Sequence, residues 1–197
     1  MNIERRAFTT QIDSNGNTLK GLASPVYDGS TGTQYELMQG VVERFAVGAF
    51  DAHLKESPDV VALWNHDINH VLGCTPNTLR LRTDAKGLHY EVDLPDTQAG
   101  RDLKTSIARG DVRGSSFAFA PDDVQWLTEN GTDVRLIRKA RLFDVSPVTT
   151  PAYGGSSVGL RSADERKAIE QERDEYRAKL NTEKWMARIN TLLSNSK

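Results

Sequence analysis

Up to about residue 160, short apolar runs follow one another, separated by clusters of Gly, Asn and Asp. The runs "RRAFTTQI", "LKGLASPVY", "VVALWN", "TLRLR", "LHYEVDL", "SSFAFA", "VQWLT", "VRLIRKARLFDV" and "SVGLR" have the length, the alternation and the β-branched or aromatic content of strands. Between them, "SNGN", "DAKG" and "ENGT" supply residues that tolerate the positive φ of tight hairpins. Two segments break the pattern and predict helices. One is "VGAFDAHLKE"; the other is "DTQAGRDLKTSIARGD", with Asp96 or Thr97 as its N-cap and Gly110 as its stop. The pattern therefore predicts an α+β domain, mainly antiparallel β, over residues 1–160.

At Ser162 the pattern changes. Residues 163–193 hold no Gly or Pro and mix acids with bases at close range, with Glu175 and Lys179 in the favourable i,i+4 order. This predicts one long charged helix in a C-terminal segment, 161–197. Ile169, Tyr176, Leu180, Ile189 and Leu193 give it a partial apolar stripe, too broken for a coiled coil but enough to dock. A solvated terminal helix and a partner-binding or assembly segment both fit.

Composition narrows the function. With 197 residues the chain can bury one substantial core. A formal charge of -2 and a pI near 6.1 leave no basic field for nucleic acid. The segment from residue 161 carries 9 Lys+Arg against 7 Asp+Glu, so it is +2 and the rest of the chain -4. Cys74 is the single cysteine, which excludes an internal disulfide, and no apolar stretch approaches the roughly 20 residues of a membrane span. The start, "MNIERRAFTTQID", has no apolar core of a signal peptide, so a soluble protein of a reducing compartment is expected.

Candidate chemistry centres on "VALWNHDINHVLGC", residues 61–74. His66, His70 and Cys74 are spaced by four, which would align three zinc ligands on one helix face. The β-branched residues before them and the Gly and Pro after them favour a turn between strands instead, and in a turn that spacing loses its meaning. A nucleophilic reading needs a hydroxyl, a base and a group that orients the base. "RGDVRGSSFAFAP" offers Ser115 and Ser116, which a strand would point to opposite faces, so that only one can face His66. "LFDVSPVTTPAY" offers Asp144, a carboxylate between Phe143 and Val145 that is costly there unless it accepts a hydrogen bond, for example from an imidazole. Each also has an ordinary reading: paired serines beside Gly are usually loop residues, and a lone strand Asp usually faces water.

At these residues the chain resembles the prohead protease family of tailed bacteriophages. "VVERFAVGAF" resembles that family's N-terminal block, "VVALWNHDINHVLGCT" its His block, "TLRLRTDAKGLHYEVDLPDTQAGRDLKTSIARGDVRGSSFAF" its central block and "LFDVSPVTTPAY" its closing block, in order over roughly residues 5–160. The resemblance implies a β-barrel serine protease, similar in fold to herpesvirus assemblins, with flanking helices. It implies His66 as general base, Ser116 as nucleophile and Asp144 as the orienting acid, with no cofactor and no role for His70 or Cys74. The oxyanion donors would be backbone N–H groups near the serine, or Arg138 or Arg141. Two departures stand out: Asp144 where the family more often has Glu, and Ala118 where it more often has Gly, which would narrow the nearby cleft. The implied substrates are the scaffolding part of the major capsid protein precursor and the protease itself. The implied setting is the immature capsid in the host bacterial cytoplasm, with a homo-oligomer expected and no nucleic-acid or membrane partner. Two rivals are a non-catalytic capsid assembly or scaffold protein acting through residues 163–193, and a metal-dependent hydrolase using His66, His70 and Cys74.

Overall fold

A computed structural model describes residues 3–149 and 163–194. The chain divides into two units, residues 1–161 and 162–197. Eleven strands of the first unit are described: β1 (Glu4–Thr9), β2 (Asp13–Asn15), β3 (Thr18–Pro25), β4 (Tyr35–Met38), β5 (Val41–Phe45), β6 (Val61–Trp64), β7 (Asp67–Cys74), β8 (Leu79–Asp84), β9 (Gly87–Asp93), β10 (Gly114–Glu129) and β11 (Thr132–Val148). Helix α1 (Asp51–Lys55) lies between β5 and β6, and α2 (Gln98–Ala108) between β9 and β10.

The hairpin β10–β11 organises the larger sheet. Its turn is Asn130-Gly131, with φ of 49° and 82°, the left-handed pair that a two-residue hairpin of this twist requires. The runs "SSFAFA" and "VQWLT", expected as two strands, are one. Pro121 does not end the strand, because the ladder absorbs it in register shifts between Ala118 and Val124. β1 pairs with β10 antiparallel. The far side of β11 is shared by two parallel partners, β5 along residues 133–137 and β6 along 144–145.

Between those partners the segment after β5 serves the free backbone of β11. Ala46 donates its N–H to the Ile137 carbonyl at 3.0 Å, Ala140 donates to the Ala49 carbonyl at 2.9 Å, and Leu142 donates to His53 Nδ1 at 3.1 Å. Burial pushes the pKa of His53 down, which favours the unprotonated nitrogen this bond needs. With β4 beside β5 and β7 beside β6, the sheet has seven strands. The other sheet is antiparallel, in the order β2-β3-β9-β8.

The two sheets share one core, in which Phe45, Phe117, Phe119, Ile137 and Val145 of the first meet Leu19, Leu79, Leu88, Tyr90 and Val92 of the second. Phe45 lies 5.1 to 6.0 Å from the rings of Tyr35, Phe50, Phe117 and Phe119. Tyr90 crosses Gly21 so closely that a Cβ there would meet its hydroxyl at 2.5 Å, so the glycine makes the room.

The α+β class and the mainly antiparallel pairing are as expected. The closed barrel is not: the described strands form two sheets whose ladders do not join, leaving β1, β4 and β7 as edges of one and β2 and β8 of the other. Apolar alternation sets which face of a strand is buried, whereas closure depends on whether edges meet, which no local pattern encodes. Strands β2, β4, β5 and β7 lie outside the predicted runs, and "SVGLR" falls outside the described residues. Helix α2 begins as expected, the Thr97 hydroxyl accepting the Gly100 N–H, and Gly110 follows its end with φ of 79°.

The described residues of the second unit form one helix, α3 (Ala163–Ser194), 32 residues and so roughly 48 Å long. No helix among the described residues is long and apolar enough to cross a membrane.

Candidate active site

His66 sits in the turn of the β6–β7 hairpin. Trp64 pairs with Asp67, leaving the two-residue loop Asn65-His66, and both residues have positive φ, 55° and 58°. This is the type I′ pattern; Asn and His are among the non-glycine residues that adopt it most readily. The turn reaches over the end of β11. Asn65 donates its N–H to the Pro147 carbonyl at 3.1 Å, and its side-chain Oδ1 accepts the Thr149 N–H at 3.0 Å.

Ser116 and Asp144 lie on the two strands that this turn overhangs. Ser116 is opposite Ser146 in the β10–β11 ladder and Asp144 is opposite Ala118, so strand alternation places all four on the face away from Phe117, Phe119 and Val145. His66 bridges them: its Nδ1 lies 2.6 Å from Asp144 Oδ1 and its Nε2 lies 2.6 Å from Ser116 Oγ. Since a carboxylate only accepts, Asp144 selects the Nδ1–H tautomer and leaves Nε2 to take a proton from the serine. The arrangement can therefore activate Ser116 as a nucleophile without a metal. Ser116 Oγ also lies 2.9 Å from the Arg6 carbonyl, so its single hydrogen has two acceptors.

Ser146, fully buried, is a member of this cluster that the sequence reading missed. Its hydroxyl donates to Asp144 Oδ1 at 3.1 Å and lies 3.3 Å from His66 Nδ1. The available signal was "DVS", in which a strand puts residues two apart on one face. Asn65, beside the histidine, was missed as well.

Other candidates go elsewhere. Ser115 points into the core, its Oγ 3.1 Å from the Tyr90 hydroxyl. His70 and Cys74 belong to β7, where four residues span roughly 13 Å rather than one helical turn, and His70 Nδ1 pairs with Asp67 at 2.8 Å. The two His66 nitrogens are already engaged, so the three do not form a metal site, and no cluster of three or more metal-ligating side chains occurs among the described residues. Arg138 and Arg141 pair with Asp123 and Asp122, at 3.4 and 3.0 Å. The N–H groups around Ser116 face β1 on one side and β11 on the other, at Ala7 and Ser146, as members of a sheet interior. Ala118, on the serine's face, is buried. A groove of about 590 Å³ on the four-stranded sheet shares no residue with the cluster, and its Lys20 and Arg80 are already paired with Glu91.

Under the other face of β10 lies a buried quartet of charges. Glu43 accepts from Arg6 Nε at 2.6 Å and from Arg135 Nη1 at 2.6 Å, while Glu4 pairs with Arg135 at 2.9 Å and also with Arg6. Burial pushes the Glu43 carboxyl up, but the two guanidiniums outweigh it and hold the group below the usual carboxylate range. The quartet pins β1, and with it the Arg6 carbonyl, beside Ser116.

Comparison with known proteins bears on the fold and the family. No curated protein matches the sequence. Among solved structures, the capsid assembly protease gp21 of bacteriophage T4 is similar in fold, with a TM-score of 0.50 and 10% identity over 74% of this chain and 96% of that one. A family model, that of the caudovirus prohead serine proteases, matches residues 6–171. A chain whose fold resembles a capsid assembly protease, and which matches that model over most of its length, belongs to the caudovirus prohead serine protease family.

Proposed function

We propose that the chain is an endopeptidase of prohead maturation, with Ser116, His66 and Asp144 as its catalytic residues. What carries this reading is the relay of two 2.6 Å contacts, Asp144 to His66 and His66 to Ser116, in a chain of this family. Neutral His66 takes the Ser116 proton as Oγ attacks a peptide carbonyl. It returns that proton to the leaving amine as the C–N bond breaks, and water then releases the acyl group from Ser116 by the same route. Asp144 holds the tautomer and stabilises the imidazolium, braced by Ser146.

The substrates are the scaffolding part of the major capsid protein precursor and the protease itself, cleaved inside the immature capsid in the host cytoplasm. Residues 1–160 form the protease domain, and 161–197 an assembly segment. Co-expression with the capsid precursor, followed by intact mass of both proteins, tests the activity. Cleavage by wild type and by Ser115→Ala but not by Ser116→Ala is expected. Two intact proteins would favour the non-catalytic assembly reading. A chain lacking residues 163–197 should still cleave free peptide yet fail to enter assembling capsids; normal packaging would leave the helix without its role.

A further inference from the structure

We infer that Asn65 is a positioning residue for this site: its side-chain amide clamps the hairpin turn to the end of β11 and so sets where the His66 imidazole stands over Ser116. The inference rests on the catalytic reading above and adds a residue to it. Two observations support it. The first is conformational: Asn65 and His66 both occupy the left-handed region, so the ring is carried by a turn of two strained residues. The second is the attachment of that turn. The Asn65 N–H on the Pro147 carbonyl continues the parallel β6–β11 pairing, and any residue provides such an N–H apart from proline. Only the side chain makes the next contacts, Oδ1 accepting the Thr149 N–H at 3.0 Å and the Thr149 hydroxyl at 3.4 Å. The turn is thus fastened at the end of the strand that also bears Asp144 and Ser146, at Pro147 within it and at Thr149 just beyond its last residue, which ties the base to the acid's strand. Asn65 is itself exposed, so the clamp is not core packing.

The variants separate backbone from side chain. Asn65→Gly keeps the positive φ and loses the clamp, whereas Asn65→Asp keeps the acceptor oxygen. The readout is labelling of the full-length protein by a fluorophosphonate, which forms an Oγ–P bond as fluoride leaves and the serine proton passes to His66; no knowledge of cleavage specificity is needed. Asn65→Gly should label about 10- to 100-fold more slowly at saturation, the cost of a base displaced by a fraction of an ångström to an ångström, with unchanged half-saturation and melting temperature. Asn65→Asp should stay close to wild type. The inference is overturned if Asn65→Gly labels at the wild-type rate, if Asn65→Asp is as slow as Asn65→Gly, or if slow labelling only tracks loss of fold.

Ser116→Ala, run in parallel, tests the catalytic reading separately. If wild type labels no faster than Ser116→Ala, that reading fails, and the proton resonance of the His66 ring N–H in histidine-labelled protein decides the clamp. A signal displaced or broadened in Asn65→Gly but not in Asn65→Asp upholds it; the same signal in both overturns it.

Discussion

Replacing Glu43 by Gln tests how much of the site's geometry depends on charges buried far from solvent. In the wild type two carboxylates and two guanidiniums balance, with Glu43, Arg135, Arg6 and Glu4 all at 2% exposure or less. Glu43 holds both cations, receiving Arg6 at 2.6 and 3.1 Å and Arg135 at 2.6 Å. The amide keeps the shape and removes the charge, leaving one positive charge uncompensated in the interior. Breaking a buried pair in this way costs about 3–5 kcal/mol. For a domain of this size that is a fall in Tm of about 6–20 °C.

Calorimetry of the two proteins at neutral pH measures the change directly, and the double variant Glu43→Gln/Arg135→Met, which restores neutrality, should recover part of it. The effect also has a pH signature. Since Glu43 is held below its ordinary pKa when folded, its contribution is fully present above the unfolded value of about 4.3 and is lost as pH falls through the lower folded value. The Glu43→Gln protein should therefore lose less stability than wild type below pH 4.3 or so. A melting temperature within about 2 °C of wild type would refute the reasoning, because an unbalanced buried charge cannot be that cheap.

Asp144→Asn should keep the fold and lower kcat by about 10⁴, the size of this change in serine proteases with the same relay; a peptide-cleavage rate near wild type would remove Asp144 from the mechanism. Ser115→Ala should leave fluorophosphonate labelling intact but cost about 1–3 kcal/mol in denaturant unfolding, since the buried Tyr90 hydroxyl loses its partner. His53, held neutral by burial, accepts the Leu142 N–H, so that bond's contribution is present above about pH 6.5 and is lost as pH falls through the depressed folded value. Melting temperatures between pH 7.5 and 5.5 should thus fall more for wild type than for His53→Gln, whose amide oxygen can still accept. Gly21→Ala should destabilise by at least about 1–3 kcal/mol, read by the same unfolding curves, because its Cβ would stand 2.5 Å from the Tyr90 hydroxyl.

What the sequence by itself determined is local. The Asn130-Gly131 turn, the Thr97 cap, the alternation that sends Ser115 and Ser116 to opposite faces and the long C-terminal helix all follow from φ preferences, capping and period, which act over a few residues. The assignment of His66 to a turn between strands has the same origin. The ordered blocks pointed to Ser116, His66 and Asp144, and the fold brings them within hydrogen-bonding distance across separations of 50 and 78 residues. Other features were decided only in three dimensions. Whether the sheets close depends on edges meeting, and they form two sheets instead; the partition of β11 between β5 and β6 is likewise set by long-range pairing. The quartet of Glu4, Arg6, Glu43 and Arg135 reads along the chain as ordinary surface charge, because what makes burial tolerable is a partner up to 131 residues away. Ser146 and Asn65 were unremarkable in the sequence for the same reason: a hydroxyl and an amide acquire their roles from what the fold sets within about 3 Å of them.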